Sequence, residues 1–329
     1  MNKQQNESKP DNHNRSIINF IKRIAVVILV FLVFYYLLNN IISNWIQVKN
    51  FSWRPNFLFL SAATLLEIFI QFGGVFIWKK LINSLGGEIT YRRCLKIWFT
   101  SALGRYLPGK AWQMVGMIWL LSKQGISSEI SVTASIFVQL YSLIPGLVVG
   151  MFSIIFLIPI FNITWTVLIL IILIIFTISF AHPKVIGKIT EYLAKKRGKQ
   201  ITLSGISLFS SFIYILTYFG YWIIRGLAFF FFIRAWLAVP SDIIFLLISI
   251  FTASYVSGLL FLLAPGGIGV REGIMQKLLE EVFKNSGKIA AGITSAVSIL
   301  NRIWLTLIEM ICLLISIALN WGIDEKRKT

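Results

Sequence analysis

The chain has 329 residues, of which 57% are hydrophobic and 13% are charged. This composition is typical of polytopic helical membrane proteins, and the length suits roughly six to nine membrane elements without a separate soluble domain. The apolar runs are continuous rather than alternating, which argues against a β-barrel.

The charge is strongly basic, with 31 Lys and Arg residues against 13 Asp and Glu residues and a formal net charge of +18. Most basic residues lie in short segments beside apolar runs, as the positive-inside rule expects. A nucleic-acid-binding protein would need one continuous basic face, so we expect no nucleic-acid partner. The cysteines and histidines lack ligand spacing, so we expect no metal site, disulfide or cofactor from Cys94, Cys312, His13 and His182.

The N-terminal part begins with a polar tail, residues 1–16, which we expect to be disordered and cytoplasmic. The first predicted span, residues 24–42, follows basic residues, and the second, residues 57–78, returns to a basic loop at residues 79–96. Glu67 lies near the centre of the second span. An ionisable residue at that depth is costly, so it is either part of a functional site or the buried partner of an arginine elsewhere.

Two short apolar runs follow, residues 97–107 and 111–121, separated by Pro108-Gly109-Lys110. Each run would form about 16 Å of helix, whereas the hydrocarbon core is roughly 30 Å thick, so neither spans it alone. They form either a re-entrant hairpin broken at Pro108 and Gly109 or one span kinked at its middle. The charge of the neighbouring loops favours the hairpin.

Three further apolar elements follow, at residues 130–157, 163–180 and 203–238. The loop at residues 158–162 carries no charge, whereas the loop at residues 183–201 carries six basic residues against one acidic residue. The second loop is therefore the clearest cytoplasmic marker in the chain.

The second half contains its own break at residues 264–273, after an apolar run at residues 243–263. Proline and glycine interrupt the helix at a depth where hydrocarbon would surround the backbone, which is tolerated only inside protein or beside a water-filled cavity. The helix that begins after the break has free N–H groups and an arginine, which together attract an anion. The alternative is a loop that joins two helices at the membrane surface. The break-forming residues are Pro265, Gly266, Gly267 and Gly269, and the first helical turn holds Arg271 and Glu272.

The last predicted span, residues 289–319, carries two ionisable residues near its middle. Arg302 and Glu309 are seven residues apart in the sequence, so they lie on the same face of a helix. The tail at residues 323–329 is basic, which predicts a cytoplasmic C-terminus.

The two halves of the chain, residues 17–160 and 161–322, have the same order of elements: span, span, broken element, span. If both broken elements are re-entrant, each half crosses the membrane three times, and the second half is an inverted repeat of the first. We therefore predict an all-α polytopic membrane protein with one domain, residues 17–322, containing about six full spans and two broken or re-entrant helical hairpins. The run at residues 243–263 is long enough to span the membrane, and the symmetry would fail if it does.

Both breaks resemble elements of a known family. The second, PGGIGVRE at residues 265–272, resembles the P-G-G-I-G-x-x-E signature of the lysylphosphatidylglycerol synthase transmembrane-region family of flippase-like integral membrane proteins. The first, GRYLPGK at residues 104–110, resembles the family's R-x-x-P-G element, and Arg302 fits its late arginine. The resemblance covers most of residues 20–320.

The resemblance implies a protein that handles membrane lipids. Family members include the flippase part of a bacterial lipid-aminoacylating resistance protein, hopanoid-associated transport proteins and proteins of glycan assembly. Because the sequence ends shortly after the last predicted span, we expect the membrane part alone, without synthesis of lysylphosphatidylglycerol.

A charged headgroup needs a polar path through hydrocarbon, where arginine binds phosphate bidentately and lysine acts as a point charge. The predicted substrate-binding residues are Arg105, Lys110, Gln113, Arg271 and Arg302. The intramembrane carboxylates that balance these cations or carry a coupling proton are predicted to be Glu67, Glu272 and Glu309. The alternative is a set of buried ion pairs that only fix helix packing, for which Glu67 and Arg302 are a candidate pair.

We therefore expect translocation of a polar anionic or phosphate-linked lipid between leaflets, in cell-envelope lipid or glycan assembly, and no enzymatic activity. The alternatives are a membrane glycosyltransferase that uses a lipid-linked sugar and a non-transporting accessory subunit of an envelope enzyme. We expect a location in the plasma membrane with both termini cytoplasmic. Membrane lipids are the expected partners, and an envelope glycan-modifying or lipid-modifying enzyme and a homo-oligomer are left open.

Overall fold

The computed structural model describes residues 45–51, 53–106, 111–157, 206–261, 265–284 and 291–320, together with isolated helical residues between 35 and 43 and between 164 and 175. All regular elements in these ranges are helical. In chain order the α-helices are α1 Trp45–Asn50, α2 Phe57–Ser84, α3 Tyr91–Ala102, α4 Ala111–Ser122, α5 Ser128–Leu157, α6 Leu208–Trp236, α7 Ile244–Leu260, α8 Val270–Phe283 and α9 Ala291–Ala318. Two 3-10 turns follow α3 and α7, at Leu103–Tyr106 and Pro265–Gly267.

Among the described residues, four helices are long and apolar enough to cross a membrane: α2, α5, α6 and α9. These helices confirm the all-helical fold class and the spans predicted at residues 57–78, 130–157, 203–238 and 289–319. The spans predicted at residues 24–42 and 163–180 lie mostly outside the described residues. Both predicted tails, residues 1–16 and 323–329, lie outside them as well.

The outer surfaces of the long helices are apolar. Phe57 and Phe209 are each 73% exposed, and Leu314 is 66% exposed. A water-soluble protein rarely exposes so many large apolar side chains, whereas lipid is as apolar as they are. The surface is therefore the one that a bilayer requires.

Two of the long helices begin at polar caps. The side chain of Asn56 accepts a hydrogen bond from the N–H of Leu58 at 3.1 Å, and the hydroxyl of Ser207 accepts one from the N–H of Ser210 at 3.1 Å. Each cap satisfies an N–H group that has no partner within its own helix. Because Ser207 is the cap, α6 begins at Leu208 rather than at residue 203 as predicted.

Close helix packing places α7 at the centre of the molecule. A Cβ added at Gly226 of α6 would lie 2.7 Å from the Cα of Ile248, and one added at Gly150 of α5 would lie 2.8 Å from the Cα of Ala253. Small residues let helix backbones approach in this way, and membrane proteins use them for packing. The helix that leads into the second break is therefore held between α5 and α6.

The first broken element consists of α3, a 3-10 turn and α4. Helix α3 begins at Tyr91, earlier than the predicted residue 97, and α3 and α4 pack against each other. Pro108, Gly109 and Lys110 lie outside the described residues. The side-by-side packing of the two arms favours a hairpin over one kinked span.

The second broken element consists of α7, a 3-10 turn and α8, which packs against α7. Helix α7 has 17 residues, or about 26 Å at 1.5 Å per residue, which is shorter than the hydrocarbon core of roughly 30 Å. The break needs glycine, since φ is +58° at Gly266, +68° at Gly267 and +86° at Gly269. A helix of 17 residues is at the lower limit for a full span. This weakens the argument against the inverted repeat, which required residues 243–263 to cross the membrane.

The two breaks touch one another. The 3-10 turn that contains Arg105 packs against the 3-10 turn that contains Gly266. A Cβ added at Gly266 would lie 3.5 Å from the carbonyl oxygen of Arg105. The fold therefore brings the two motif-bearing segments together, although they are separated by about half of the chain.

Candidate functional site

A cavity of about 620 Å³ lies where the two breaks meet α4, α5, α6, α7 and α9. The charged side chains on its wall are Arg105, Arg225, Arg271, Arg302 and Glu309. Much of the remaining wall is apolar or aromatic, including Met114, Met117, Leu140, Leu143, Leu259 and Tyr255. A cavity with both kinds of wall fits an amphiphilic ligand.

The deepest charges are an ion pair between α2 and α6. Arg225 Nη2 lies 2.6 Å from Glu67 Oε1, and the two side chains are 2% and 0% exposed. Arg225 Nε and Gln71 Nε2 also donate to Glu67 Oε1, at 3.1 and 3.0 Å. The candidate pairing of Glu67 with Arg302 is therefore wrong, because Arg225 holds this carboxylate.

Arg225 was not predicted from the sequence. It lies inside the predicted span at residues 203–238, and an isolated arginine there is the same kind of signal as Glu67. Its guanidinium also lies over the ring of Tyr255, 4.5 Å from the centroid. The pair fixes α2 against α6, and only its arginine end reaches the cavity wall.

A second ion pair joins the first break to α9. Arg105 Nη1 lies 2.8 Å from Glu309 Oε1, and the side chains are 22% and 12% exposed. Arg302 and Glu309 both line the cavity, so they share a face of α9, as their seven-residue spacing predicted. Glu309 is thus bonded across the cavity to Arg105.

A third, longer contact joins the second break to α9. Arg302 Nη1 lies 3.8 Å from Glu272 Oε1 and donates to the carbonyl oxygen of Gly266 at 3.2 Å. Glu272 Oε2 accepts the N–H of Gly269 at 2.6 Å and so caps its own helix. The prediction of a free helix start is wrong for this N–H group, which is satisfied internally.

Arg271 differs from the other three arginines. Its side chain lies on the cavity wall, and the residue is only 6% exposed. The guanidinium lies over Tyr255 and Phe251, at 4.4 and 5.4 Å from the ring centroids. Its Nη2 has no hydrogen-bond partner, and no carboxylate of the described residues lies within 4 Å of it.

Comparison with known proteins identifies the family of the chain. The sequence model described as the lysylphosphatidylglycerol synthase TM region matches residues 21–317. The chain belongs to this family. No curated protein shows significant similarity to it. Family membership confirms the resemblance of the two motifs and, with four membrane-length helices, makes the chain an integral membrane protein of a lipid-related family.

In this member of the lysylphosphatidylglycerol synthase transmembrane family, the charges on and behind the cavity wall do not cancel. Arg105, Arg225 and Arg302 face Glu309, Glu67 and Glu272, respectively. Arg271 is the fourth arginine, and no carboxylate of the described part of the chain forms an ion pair with it. A buried charge without a partner is energetically costly. The cavity therefore favours an anion at Arg271.

Most of the predicted site residues lie together. Gln113 reaches the cavity from α4, and Gly266 and Gly267 form part of its wall. Glu67 is fully buried behind Arg225 and is not on the wall. Lys110 and the first-break residues Pro108 and Gly109 lie outside the described residues. Pro265 begins the second 3-10 turn and Gly269 is the N-cap of α8.

Proposed function

We propose that this family member moves a polar anionic or phosphate-linked lipid between the leaflets of the plasma membrane, as a transporter rather than an enzyme. The observation that carries the proposal is Arg271, a buried cation on the cavity wall with no carboxylate of the described residues within 4 Å of it. An anionic headgroup at this point would supply the missing counter-charge.

The chemistry of the wall favours a phosphate. A guanidinium can donate two parallel hydrogen bonds to phosphate oxygens, and Arg271 Nη2 has no other acceptor in the described structure. Arg302 lines the same cavity, and its 3.8 Å contact with Glu272 is too long for a hydrogen bond. The two arginines together would bind a phosphate more strongly than either alone.

The apolar part of the wall supports a lipid rather than a free ion. Met114 and Met117 from α4, Leu140 and Leu143 from α5, and Leu259 from α7 contribute to it. Such side chains suit the glycerol and first methylenes of an acyl or polyprenyl chain. A lipid whose headgroup binds Arg271 would thus have its hydrocarbon chain in contact with these apolar side chains.

The two breaks are the parts that we propose to move. Arg105 and Glu309 hold the first break to α9, and Arg302 holds the second break to the same helix through Gly266. If both hairpins are re-entrant and enter from opposite faces, opening one and closing the other would expose the cavity to each leaflet in turn. Both termini would then be cytoplasmic.

Binding of an anionic lipid tests the proposal. We expect Arg271→Ala to weaken binding of phosphatidylglycerol roughly 10- to 100-fold, since a charge-assisted hydrogen bond contributes about 1.5–3 kcal/mol. Arg271→Lys keeps the charge but loses the planar fork, so it should retain part of the affinity. Native mass spectrometry measures the bound lipid, and size exclusion checks folding.

Arg234→Ala is the matched control, because Arg234 also lies over aromatic rings, at 4.9 Å from the Phe59 centroid, but is not on the cavity wall. This variant should bind phosphatidylglycerol like the unchanged protein. If folded Arg271→Ala also binds it equally well, the anion site is not at Arg271 and the proposed function loses its support.

A further inference from the structure

The cavity is larger than a phosphate alone requires. Its volume of about 620 Å³ lies within the range of pockets that bury a whole ligand of drug size. A phosphate at Arg271 would therefore leave room for the rest of a headgroup. The side chains that line this room determine which kind of headgroup fits.

Four aromatic side chains in mutual contact lead away from Arg271 along the cavity wall. The guanidinium of Arg271 lies 4.4 Å from the ring centroid of Tyr255. The centroids of Tyr255 and Trp222 are 5.4 Å apart, and those of Trp222 and Tyr221 are 5.7 Å apart. Tyr218 follows, with its centroid 5.6 Å from that of Tyr221. These four rings, the aromatic row, all line the cavity.

The aromatic row already has a cation beside it. The guanidinium carbon of Arg225 lies 4.5 Å from the centroid of Tyr255. It lies 5.6 Å from the centroid of Tyr221 and 5.9 Å from that of Trp222. An aromatic face attracts a cation, but a headgroup ammonium at these rings would meet the charge of this guanidinium. The row therefore disfavours a positively charged headgroup.

The charges of the wall also oppose a cationic headgroup. Of the described residues, four arginines but only one acid, Glu309, lie on the wall. Glu309 Oε1 is 2.8 Å from Arg105 Nη1, so this acid already faces an arginine. A headgroup ammonium would add like charge to the cavity without a carboxylate of its own in the described part of the wall.

Neutral hydrogen-bonding groups line the same cavity. Gln113 comes from α4, Gln139 from α5 and Tyr218 from α6. None of these three side chains forms a hydrogen bond with another described residue. Amide groups and a phenol both donate and accept hydrogen bonds, as the hydroxyl groups of a ligand do. These side chains therefore match a headgroup that carries hydroxyls.

We propose that the headgroup beyond the phosphate is a neutral polyol, such as a glycerol, an inositol or a sugar, which packs on the aromatic row and bonds to Gln113, Gln139 and Tyr218. This inference rests on the proposed function and names the class of lipid. The C–H groups of a polyol pack on aromatic rings without adding charge, and its hydroxyls supply partners for the neutral side chains. The same wall excludes a headgroup with an ammonium group, including that of lysylphosphatidylglycerol.

Two lipids of equal charge test the polyol site on the full chain. Phosphatidylglycerol and phosphatidylethanol both carry a single negative charge, but only the first has headgroup hydroxyls. The unchanged protein should bind phosphatidylglycerol roughly fivefold more tightly or better, since one net hydrogen bond corresponds to about this factor. Native mass spectrometry measures both affinities. Equal affinities would overturn the polyol site.

Lysylphosphatidylglycerol tests the exclusion of cations, because it keeps the phosphate and adds positive charge. It should bind roughly tenfold more weakly than phosphatidylglycerol. Phosphatidylinositol controls for size, since its headgroup is also larger than glycerol but neutral beyond the phosphate, and it should bind at least as tightly as phosphatidylglycerol. Equal binding of lysylphosphatidylglycerol and phosphatidylglycerol would overturn the exclusion. Weak binding of both larger lipids would overturn it as well, because size rather than charge would then select.

Two conservative variants test the residues. Tyr218→Phe keeps the ring and removes the hydroxyl, so it should lower the preference for phosphatidylglycerol over phosphatidylethanol about fivefold without changing the binding of phosphatidylethanol. Gln139→Met should act in the same way. Tyr214→Phe is the matched control, because Tyr214 lies one turn earlier in α6, bonds to Ser84 and is not on the wall. Full preference in both Tyr218→Phe and Gln139→Met would overturn the assignment.

The outcomes separate this inference from the proposed function. Equal binding of phosphatidylglycerol by the unchanged protein and Arg271→Ala would overturn the proposed function. Binding that depends on Arg271 but not on headgroup hydroxyls would overturn the polyol class alone. Glycerophosphoglycerol, the same headgroup without hydrocarbon, should compete roughly tenfold more weakly than the lipid or worse. Equal competition would make the ligand a soluble phosphodiester and would overturn the proposed function.

Discussion

At the scale of single residues, burial and partner decide what each intramembrane charge does. Glu67 and Arg225 are both almost completely buried and bonded through two nitrogens of the guanidinium, which suits a structural pair. Arg271 is buried almost as well but has aromatic rings in place of a carboxylate. The first arrangement holds helices together, and the second is the basis of the proposal that Arg271 binds an anionic ligand.

The ion pair between Glu67 and Arg225 predicts how the stability of the protein changes when one or both partners are replaced. Glu67→Gln leaves Arg225 as a buried charge without a counter-ion and should destabilise the protein by about 3–5 kcal/mol. The double variant Glu67→Leu with Arg225→Met should be milder, because it removes both charges. Thermal unfolding in detergent measures both.

Arg302→Gln is the control for this pairing. It should not rescue Glu67→Gln, since Arg302 is bonded to Gly266 and lies beside Glu272 instead. Rescue by Arg302→Gln, or a double variant as unstable as the sum of its parts, would contradict the assignment of Arg225 as the partner.

A site residue could be predicted from the sequence only where a recognisable pattern marks its position. Arg271, Glu272 and Arg302 were predicted because a motif or a mid-span position marks them. Arg225 has the same mid-span position but no neighbouring motif, and its partner on α2 is 158 residues away along the chain. Partner choice depends on which helix faces pack together, which one sequence does not specify.

At the scale of elements, the second break depends on glycines with left-handed backbone. Gly267 has φ +68°, and a Cβ there would lie 2.8 Å from the carbonyl oxygen of Gly258. Gly86 has φ +88°, but a Cβ there would meet nothing within 4 Å. Comparison of the two separates backbone strain from close packing.

We expect Gly86→Ala to cost about 1–2 kcal/mol, the penalty of left-handed backbone alone. Gly267→Ala should cost clearly more, because the backbone of α7 cannot move away as a flexible side chain can. Thermal stability in detergent measures the difference. Equal costs would mean that the approach of the break to α7 is looser than described.

The hairpin formed by α7 and α8 makes a topology prediction. If it is re-entrant, Asp242 before α7 and Lys284 after α8 lie on the same membrane face, opposite the C-terminus. An impermeant thiol reagent should therefore label Asp242→Cys and Lys284→Cys from the outside of intact cells. The native thiols, Cys94 and Cys312, are buried and should give little background.

Labelling of the two cysteines from opposite faces would show that the broken element crosses the membrane. The inverted repeat would then fail, and with it the expectation that both termini are cytoplasmic.

At the scale of the whole molecule, the sequence predicted the elements better than their assembly. Hydrophobic runs predicted α2, α5, α6 and α9 within a few residues, because a membrane span needs a long apolar segment whatever it packs against. The cavity was not predicted as a volume, since it depends on contact between the two breaks and on α7 being held between α5 and α6. The motifs marked the two broken segments as candidates for the site, and the fold brings these segments into contact.

The central claim concerns the whole molecule: the cavity carries an anionic lipid across the bilayer by means of Arg271. Among the described residues, this claim is supported by three arginines that face carboxylates, a fourth, Arg271, that forms no ion pair, and an apolar wall. No single element contains all of these features, so the test must measure movement of lipid by the intact protein.

The most direct measurement is the rate at which fluorescent phosphatidylglycerol moves between the leaflets of vesicles that contain the purified protein, with phosphatidylcholine as the zwitterionic comparison. We predict faster movement of phosphatidylglycerol than in empty vesicles, loss of at least 90% of this increase in Arg271→Ala as a roughly 10- to 100-fold effect, and no loss in Arg234→Ala. Equal movement by Arg271→Ala and the unchanged protein, or no movement above that of empty vesicles, would contradict the account.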